Sequence, residues 1–543
     1  MAAQPMLGQF LVAINGFIKA KNEAQLADWL VLEPPFSDHY SKMIAELKSG
    51  YPKGSEDALE KKCSQVLFAA REGEDGASWT QFIKFMVQYL SYLRDITADP
   101  NQYLHTYELL SELQLRVNSA LLHGSLGHLV LPTVIACAKL VCRLAIGLDK
   151  QPSLISHLQS AQPGGGGEDG GQRETLPERA ANTLRTAFVT CLNDKTSGLN
   201  RQTGKPEGKK RGIYIIANLC LKILYQCRKT RNATQIFENI YNSSPPLAAY
   251  PKRERVTYLY YLGRFLFQNS HFYRAQLALQ YAYDESPARP ECVRQRRHIL
   301  VYLIASNIIL GRFPSQDLLG RPEAQGLAER FLPLCYAIRS GNLAAFRQHL
   351  HLDGDHADWF LHFRILLQLR NRCEVLVWRS LVRKTFLLAG TTPSDPSSRS
   401  AATVNIHDLV TVFAHLEKRA DSADSGAMDP DFDGLDIQDE DAMLLPDTTS
   451  IESILSSLLE QGLLGGFISH KQMKCAFKGI KSKDGPFETA FPLPWEVIRR
   501  KAEAESEGSE VPGWKKDAGR GGGGPGPGQV IHLSGARPVG AAG

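Results

Sequence analysis

The chain has 543 residues, of which 43% are hydrophobic and 22% charged, and its formal net charge is +5. This length allows about two to four domains, and without a run of about 18 uninterrupted apolar residues the sequence predicts no membrane span. The ten cysteines have no CxxC spacing, which favours reduced thiols over a disulfide framework or a zinc site. The mild positive charge permits a local nucleic-acid contact without requiring one.

Apolar residues at helical spacing predict an N-terminal helical region over residues 1–160. A Gly-rich segment, residues 161–174, cannot bury an apolar face and is predicted to be a linker or loop. Helical spacing returns over residues 175–390, where one loop carries a basic run. That run consists of Lys205, Lys209, Lys210 and Arg211. A basic run in a loop is normally solvated, and specific nucleic-acid contact is the alternative.

The clearest repeat unit is Arg253–Tyr283, which contains two helical segments separated by a short polar break. Its spacing resembles the tetratricopeptide helix–turn–helix, in which a Gly lets two helices approach and small residues fill the seam. An ordinary helical hairpin in another all-α domain is the alternative. Similar units at His298–Leu310 and Leu332–Leu350 recur every 35–40 residues or so, which favours a solenoid with a core from about residue 250. The predicted packing residues are Tyr261, Gly263, Phe272, Ala275 and Gly341.

One long helical region is predicted at Trp359–Leu388, before a Ser/Thr/Pro break. A different module is predicted over residues 391–490. Its helices are expected at Val404–Leu416 and Ile451–Leu459, and its two short strands at Leu463–Ser469 and Lys474–Phe477. A short helix followed by a two-stranded ribbon is the order of a winged helix, which can cap the open end of a solenoid.

Two further segments of this C-terminal part have biased composition. Residues 418–450 are predicted to be an acidic insertion in the winged helix. Residues 491–543 are predicted to be a disordered tail. The fold class expected for the whole chain is therefore all-α: a tetratricopeptide-like solenoid capped by a C-terminal winged helix, with disordered insertions and tail.

The strongest site-like feature is electrostatic and lies on the predicted ribbon and its exit, where no acid occurs between Gly465 and Lys483. A row of cations on a wing can neutralise phosphates, whereas a solvated wing is the alternative. The candidate nucleic-acid-binding residues are His470, Lys471, Lys474, Lys478, Lys481 and Lys483.

The segment Asp429–Glu440 satisfies the spacing of an EF-hand calcium loop. The residues before it are poor helix formers, and its eighth position is Asp436 rather than an apolar residue. We therefore expect a solvated acidic segment and no metal site. The sequence has no catalytic motif such as GxSxG, HExxH or a P-loop, so we expect neither an enzyme nor a cofactor.

Four segments together carry a family resemblance. They are Arg255–Arg264, His298–Leu303 with Leu310-Gly311, Ala337–Asn342 and Gly465–His470. Helical repeats that end in a winged helix resemble the PCI domain of the proteasome lid, the signalosome and translation initiation factor three. The segments are similar to the branch of the signalosome-associated twelfth-subunit proteins, most closely the fungal ones, and the mRNA-export PCI subunits of the nuclear-pore transcription–export complex.

The resemblance implies a non-enzymatic scaffold that pairs through winged helices with a second PCI-domain protein. It also implies a small acidic proteasome-lid-type subunit as a partner, and weak, non-specific binding of RNA or double-stranded DNA, with no membrane. The basic residues after Gly466 become the candidates for that platform. Location in the nucleus, and also in the cytoplasm, and a role in transcription elongation, mRNA splicing or export are expected. The alternative is a non-catalytic signalosome-associated subunit linked to deneddylation of cullins.

Overall fold

The structure is a computed structural model that describes residues 6–71, 78–96, 102–151, 153–154, 175–394, 400–424, 446–483 and 485–505. Helices dominate it, and the all-α repeat fold class is confirmed. The first helices are α1 Met6–Lys19, α2 Glu23–Trp29, α3 Asp38–Gly50, α4 Glu56–Val66, α5 Phe68–Arg71, α6 Thr80–Asp95, α7 Tyr103–Leu121, α8 Leu131–Asp149 and α9 Leu176–Asn193. The predicted Gly-rich linker, residues 161–174, lies outside the described residues.

The second half continues with more helices and a small sheet. Its repeat helices are α10 Ile213–Gln226, α11 Ala233–Ser243, α12 Lys252–Gln268, α13 Phe272–Glu285, α14 Val293–Ile309, α15 Gln316–Leu319, α16 Ala328–Ser340, α17 Leu343–His349, α18 Ala357–His362 and α19 Leu366–Ala389. The remaining elements are β1 Ala402–Asn405, α20 Ile406–Asp424, α21 Thr448–Glu460, β2 Gly466–Ser469, β3 Lys474–Phe477 and α22 Pro494–Glu505.

The apolar stripe of α6 shows how the N-terminal helices enter the core. Phe82, Phe85 and Tyr89 recur at helical spacing and are fully buried. Trp79 precedes the helix, and its indole nitrogen donates to the carbonyl of Ala120 at 2.8 Å. Because a buried indole N–H needs an acceptor, this bond fixes α6 against the end of α7.

The stretch Gly127–Asp149 is long and apolar enough to cross a membrane, and within the described ranges no other helix passes that test. Neighbouring helices of the chain bury 67% of its most apolar window. Val134, Val141 and Ala145 of α8, for example, have no exposed surface. We therefore assign this helix to the core.

The predicted seam residues lie in the first repeat pair, α12 and α13. Tyr261 and Phe272 are each 8% exposed, and Ala275 is fully buried. Gly263 faces Leu279, where an added Cβ would lie 2.5 Å from the leucine Cγ. The absence of a side chain at Gly263 is thus what lets α12 and α13 approach.

Gly341 ends α16 in the left-handed region, with φ of 68°. An added Cβ would lie 2.6 Å from the backbone nitrogen of Leu381 on α19. Both the backbone conformation and the contact favour glycine here. The turn therefore sets how closely the third repeat approaches α19.

Three element predictions need correction. The helical region Trp359–Leu388 is broken between α18 and α19, where Arg364 is left-handed and Ile365 is fully buried. The predicted helix from Val404 begins only at Ile406, because Ala402–Asn405 forms strand β1. The predicted tail boundary at residue 491 is wrong as well, since α22 is an ordered helix; the residues after Glu505 lie outside the described ones.

The winged helix has a sheet in the order β1-β3-β2, and both pairs are antiparallel. Helices α20 and α21 lie between β1 and β2 in the chain. Helix α20 continues to Asp424 and α21 starts at Thr448, so the insertion predicted over 418–450 is shorter at both ends. Its central residues, 425–445, are outside the described part of the chain.

Candidate nucleic-acid interface

The wing is the short turn that joins β2 to β3. It contains His470–Gln472, followed by Met473 in the left-handed region with φ of 50°. Cys475 pairs with Ile468 and Val404 and is fully buried, so its neighbour Lys474 faces the opposite side of the sheet. The strand register thus directs Lys474 away from the core of the winged helix.

The five predicted lysines are spread along this wing and its exit. Lys471 lies at the tip and Lys478 directly after β3, and both are exposed. Lys474 is half-buried, while Lys481 and Lys483 are exposed in the segment that follows. Among the described residues, four of the five form no salt bridge with a carboxylate: Lys471, Lys474, Lys478 and Lys483. These four ammonium groups are therefore available to an anion.

His470 differs from the lysines because it contacts an acid. Its Nδ1 lies 2.9 Å from Oε1 of Glu452 on α21, although the histidine side chain is 82% exposed. Glu452 precedes Gly465 in the chain and therefore lies outside the acid-free stretch from Gly465 to Lys483 that led to the prediction. Glu452 reduces the positive charge at one end of the wing, which makes His470 the weakest of the six candidates.

Helix α21 is the helix that precedes the wing, and it carries no Lys, Arg or His. Its exposed side chains include Ser453, Ser456 and Glu460. Because phosphate contacts come largely from cations, this helix offers little to a nucleic-acid backbone. The basic charge of the winged helix is concentrated on the wing instead.

Phe467 is a residue that the sequence argument did not select. It lies on β2, which is hydrogen-bonded to β3 and forms one edge of the sheet. Its side chain is 61% exposed beside the lysines. Ile468 pairs with the buried Cys475 and so faces the core. Because side chains alternate along a strand, the preceding residue, Phe467, could have been assigned to the outer face. An exposed aromatic on an edge strand is a feature of interaction surfaces.

The basic run before α10 is not the solvated loop that was predicted. Lys209 is 3% exposed, and its ammonium lies 3.7 Å from Oδ1 of Asp194. Arg211 donates to Glu23 at 2.8 Å, and Lys210 donates to the carbonyl of Leu192. Only Lys205 of the run is fully exposed. These cations hold the loop to α2 and α9, so nucleic-acid contact there has no support.

The described residues contain no metal site. No three or more His, Cys, Asp or Glu side chains among them lie close enough together to hold an ion. The EF-hand-like stretch Asp429–Glu440 lies outside them. All ten cysteines are free thiols, and nine are buried. Burial raises the pKa of Cys475 to about 12, so it remains protonated and unreactive near neutral pH.

A helical repeat array that shares a long helix with a terminal winged helix defines the class of protein as a PCI-type fold. No protein-family model matches the chain. A PCI domain-containing protein of Schizosaccharomyces pombe is 27% identical over 505 residues, which cover 92% of this chain and 98% of that protein.

Two other relatives match over shorter segments. A protein named CSN12 homolog from Neurospora crassa is 31% identical over 39% of this chain, and the match spans 45% of that relative. PCI domain-containing protein 2 of Danio rerio is 25% identical over 61% of this chain and 67% of its own length. Relatives that carry the names PCI domain-containing protein, CSN12 homolog and PCI domain-containing protein 2 support membership of the PCI-domain family, in its CSN12-like branch.

Proposed function

We propose that the chain is a non-catalytic scaffold subunit of a nuclear multiprotein complex that acts in transcription elongation, mRNA processing or mRNA export. In this proposal it pairs with a second PCI-domain protein, and the two winged helices together form a nucleic-acid platform. The observation that carries the proposal is the free edge of the sheet. There β2 exposes Phe467 on the sheet that also carries Lys471, Lys474 and Lys478, which form no salt bridge with a described carboxylate.

The need for a partner follows from the charges on one chain. Helix α21 has no cation and Glu452 offsets His470, so of α21 and the ribbon only the ribbon and its exit offer lysines to phosphates. With so few phosphate contacts, binding is weak, non-specific and strongly dependent on salt. A second wing held alongside would add its contacts to the same strand and increase the affinity.

A small acidic proteasome-lid-type subunit is the second protein partner in this proposal. The net charge of +5 supports attraction of an acidic chain. Affinity purification of the tagged full-length chain, with mass spectrometry of stoichiometric partners, tests both assignments. We expect one protein with its own PCI domain and one small acidic protein. Recovery of the chain as a monomer would contradict the scaffold assignment.

The wing is tested by charge reversal in Lys471→Glu, Lys474→Glu and Lys478→Glu together. Measured on duplex DNA by fluorescence anisotropy, this variant should lose most of its affinity. The slope of log affinity against log salt should fall by about 2–3, since each lost phosphate contact accounts for about 0.9. The matched control reverses three exposed lysines of the N-terminal helices, Lys42, Lys48 and Lys61. Equal affinity in the two triple variants would rule out the wing as the duplex-binding surface.

A second candidate function is a non-catalytic signalosome-associated subunit linked to deneddylation of cullins. It is favoured by relatives that carry the name CSN12 homolog. Deletion of the gene followed by immunoblotting for neddylated cullin tests it. Accumulation of the modified cullin would support the role, and unchanged deneddylation would exclude a required one.

A further inference from the structure

A second cationic surface lies on the repeats, away from the wing, and Arg264 of α12 is at its centre. The guanidinium carbon is 4.8 Å from the ring centre of Tyr225 and 5.1 Å from that of Tyr302. One of its nitrogens donates to the hydroxyl of Tyr260 at 3.2 Å, while its buried Nε has no hydrogen-bond partner. Cation–π contacts stabilise this charge without neutralising it.

More arginines surround this centre, grouped around the imidazole of His298. His298 of α14 packs between Tyr260 and Phe363, with ring centres 6.5 Å and 6.1 Å away. Burial lowers the pKa of His298, and so do the nearby Arg294, Arg264, Arg297 and His362, in that order. Arg297 donates to the backbone carbonyl of Glu323 at 3.2 Å and not to its carboxylate. Positively charged groups therefore dominate the surroundings of this histidine.

Arg364 extends the surface to a polar cavity. It is exposed and follows α18 with φ of 56°, a left-handed conformation that favours glycine at a helix end. A cavity of about 580 Å³ is lined by Arg364 together with Thr230, Thr234, Gln268 and Gln368. Among the described residues, these four neutral side chains form no hydrogen bond, and no carboxylate lines the cavity. Arginine thus occupies a backbone position that glycine would fit better, beside donors and acceptors that are free.

We propose that this surface, the repeat cleft of Arg264, Arg294, Arg297, His298, His362 and Arg364, binds a single-stranded polynucleotide. Arg294 and Arg364 would contact phosphates, and the amides and hydroxyls of the cavity would contact the edge of one base. Partly exposed rings at His298 and Phe363 supply faces for stacking. A cavity of this size accepts a nucleotide, whereas a duplex is too wide to enter it.

Free amides and hydroxyls distinguish this ligand from an acidic peptide. Cationic side chains are sufficient to bind the carboxylates of a peptide. The edges of a base also form hydrogen bonds with neutral donors and acceptors of the protein. The inference extends the proposed nucleic-acid role to a second place on the chain and does not depend on the wing. The probes separate the two surfaces, because the wing is tested with duplex DNA and the cleft with a single strand.

The test uses the full chain carrying the three wing substitutions and a labelled oligouridine of about 20 nucleotides, long enough for the sites known in single-strand binders. We expect this chain to retain binding, and the further double variant Arg294→Glu and Arg364→Glu to weaken it about tenfold or more. The salt slope should fall by about 1.4, since each lost contact to a single strand accounts for about 0.7. Arg116→Glu, an exposed arginine on α7, is the charge-matched control.

Arg364→Gly separates binding from folding. Glycine accepts the left-handed backbone, so this variant should melt no lower than the parent and still bind the oligouridine more weakly. Three results would overturn the proposal: no binding by the wing-substituted chain, equal affinity of the double variant and the Arg116→Glu control, or displacement of the oligouridine by an equally charged oligoglutamate at the same concentration. The last result would assign the cleft to an acidic peptide.

Discussion

At the scale of single residues, Gly263 shows how one missing side chain decides a helix–helix distance. The Cβ of an alanine there would lie 2.5 Å from Cγ of Leu279, and Leu279 is itself fully buried. A buried leucine has no free space into which it can move, so the added methyl group would overpack the seam. The glycine is needed for packing and has no chemical role.

We expect Gly263→Ala to lower the free energy of unfolding by about 1–3 kcal/mol, as overpacked cores do. The control is Gly147→Ala on α8, where an added Cβ meets nothing within 4 Å. That change should raise stability by about 0.5–1 kcal/mol, since alanine is the better helix former. Urea denaturation followed by circular dichroism measures both. A Gly263→Ala protein as stable as the parent would contradict the close approach.

Lys209 and Asp194 show how tertiary structure also determines the ionisation of a side chain. The side chains of both are 4% exposed. Burial alone would raise the pKa of Asp194, but hydrogen bonds from Ser197 and Thr196 and the charge of Lys209 lower it below the usual value. A carboxylate whose pKa is lower in the folded state stabilises the fold above its unfolded pKa.

The expected result is a pH dependence with a definite sign. As the pH falls below about 4, the ordinary pKa of an unfolded aspartate, the contribution of Asp194 should decrease and disappear below its folded pKa. Asp194→Asn should therefore show a shallower loss of stability in that window than the parent. Asp28→Asn, at an exposed aspartate of α2, should follow the parent. Thermal melts between pH 2.5 and 6, roughly the range over which carboxylates titrate, make the comparison.

At the scale of elements, α22 is the clearest addition to what was predicted. Trp495 packs on Tyr273 of α13 with ring centres 5.7 Å apart, and the guanidinium of Arg312 lies 4.5 Å from the tryptophan ring centre. Lys501 donates to the carbonyl of Glu460, at the end of α21. The helix thus contacts both the repeats and the winged helix.

Trp495→Ala should destabilise this junction by about 1–3 kcal/mol. This cost is lower than for removal of a fully buried tryptophan, because Trp495 is partly exposed. Hydrogen exchange at the amides of α22 should accelerate, since the helix would lose its main anchor. Leu493→Ala, two residues earlier and 59% exposed, is the control and should leave exchange unchanged. Slow exchange in the Trp495→Ala protein would show that other contacts hold the helix.

Strand β1 illustrates why some elements escape sequence analysis. Ala402–Asn405 is too short for an alternating pattern to stand out, and it runs directly into the periodic residues of α20. Its strand conformation depends on pairing with β3, where Asn405 is opposite Lys474. A four-residue segment with a distant partner has no local signature of its own.

At the scale of the whole molecule, α19 joins the two cores. Leu366, Leu369 and Cys373 belong to the repeat core, whereas Val382 and Phe386 belong to the core of the winged helix. A helix buried at both ends transmits position from one module to the other without a flexible hinge. The wing and the edge strand β2 are therefore held at a defined place relative to the repeats.

Because β2 is held in a fixed position, substitution of Phe467 can test whether this edge binds the second PCI-domain protein. Phe467→Glu should abolish co-purification of the second PCI-domain protein, because a charge would replace an apolar contact at the sheet edge. The chain itself should change in stability by no more than about 0.5 kcal/mol, since the side chain is 61% exposed. Leu122→Glu, 64% exposed among the N-terminal helices, should leave pairing intact. Undiminished recovery of the partner would place the interface elsewhere.

The sequence by itself determined the features that depend on local periodicity. Apolar spacing in Arg253–Tyr283 predicted α12 and α13, the turn at Gly341 was visible from its residues, and the ribbon at Lys474–Phe477 followed the short helix as expected. These features are local because helix and strand periods are set by near neighbours in the chain. The lysines of the wing could be selected for the same reason.

Only the tertiary structure decided which charges remain available. It buried Lys209 against Asp194, placed Glu452 beside His470 and gathered the arginines of the repeat cleft from separate helices. Electrostatic interaction depends on distance through space and on burial, and neither can be read from position along the chain. A net charge of +5 therefore left open where the positive surfaces of this protein lie, and folding placed them on the wing and on the repeats.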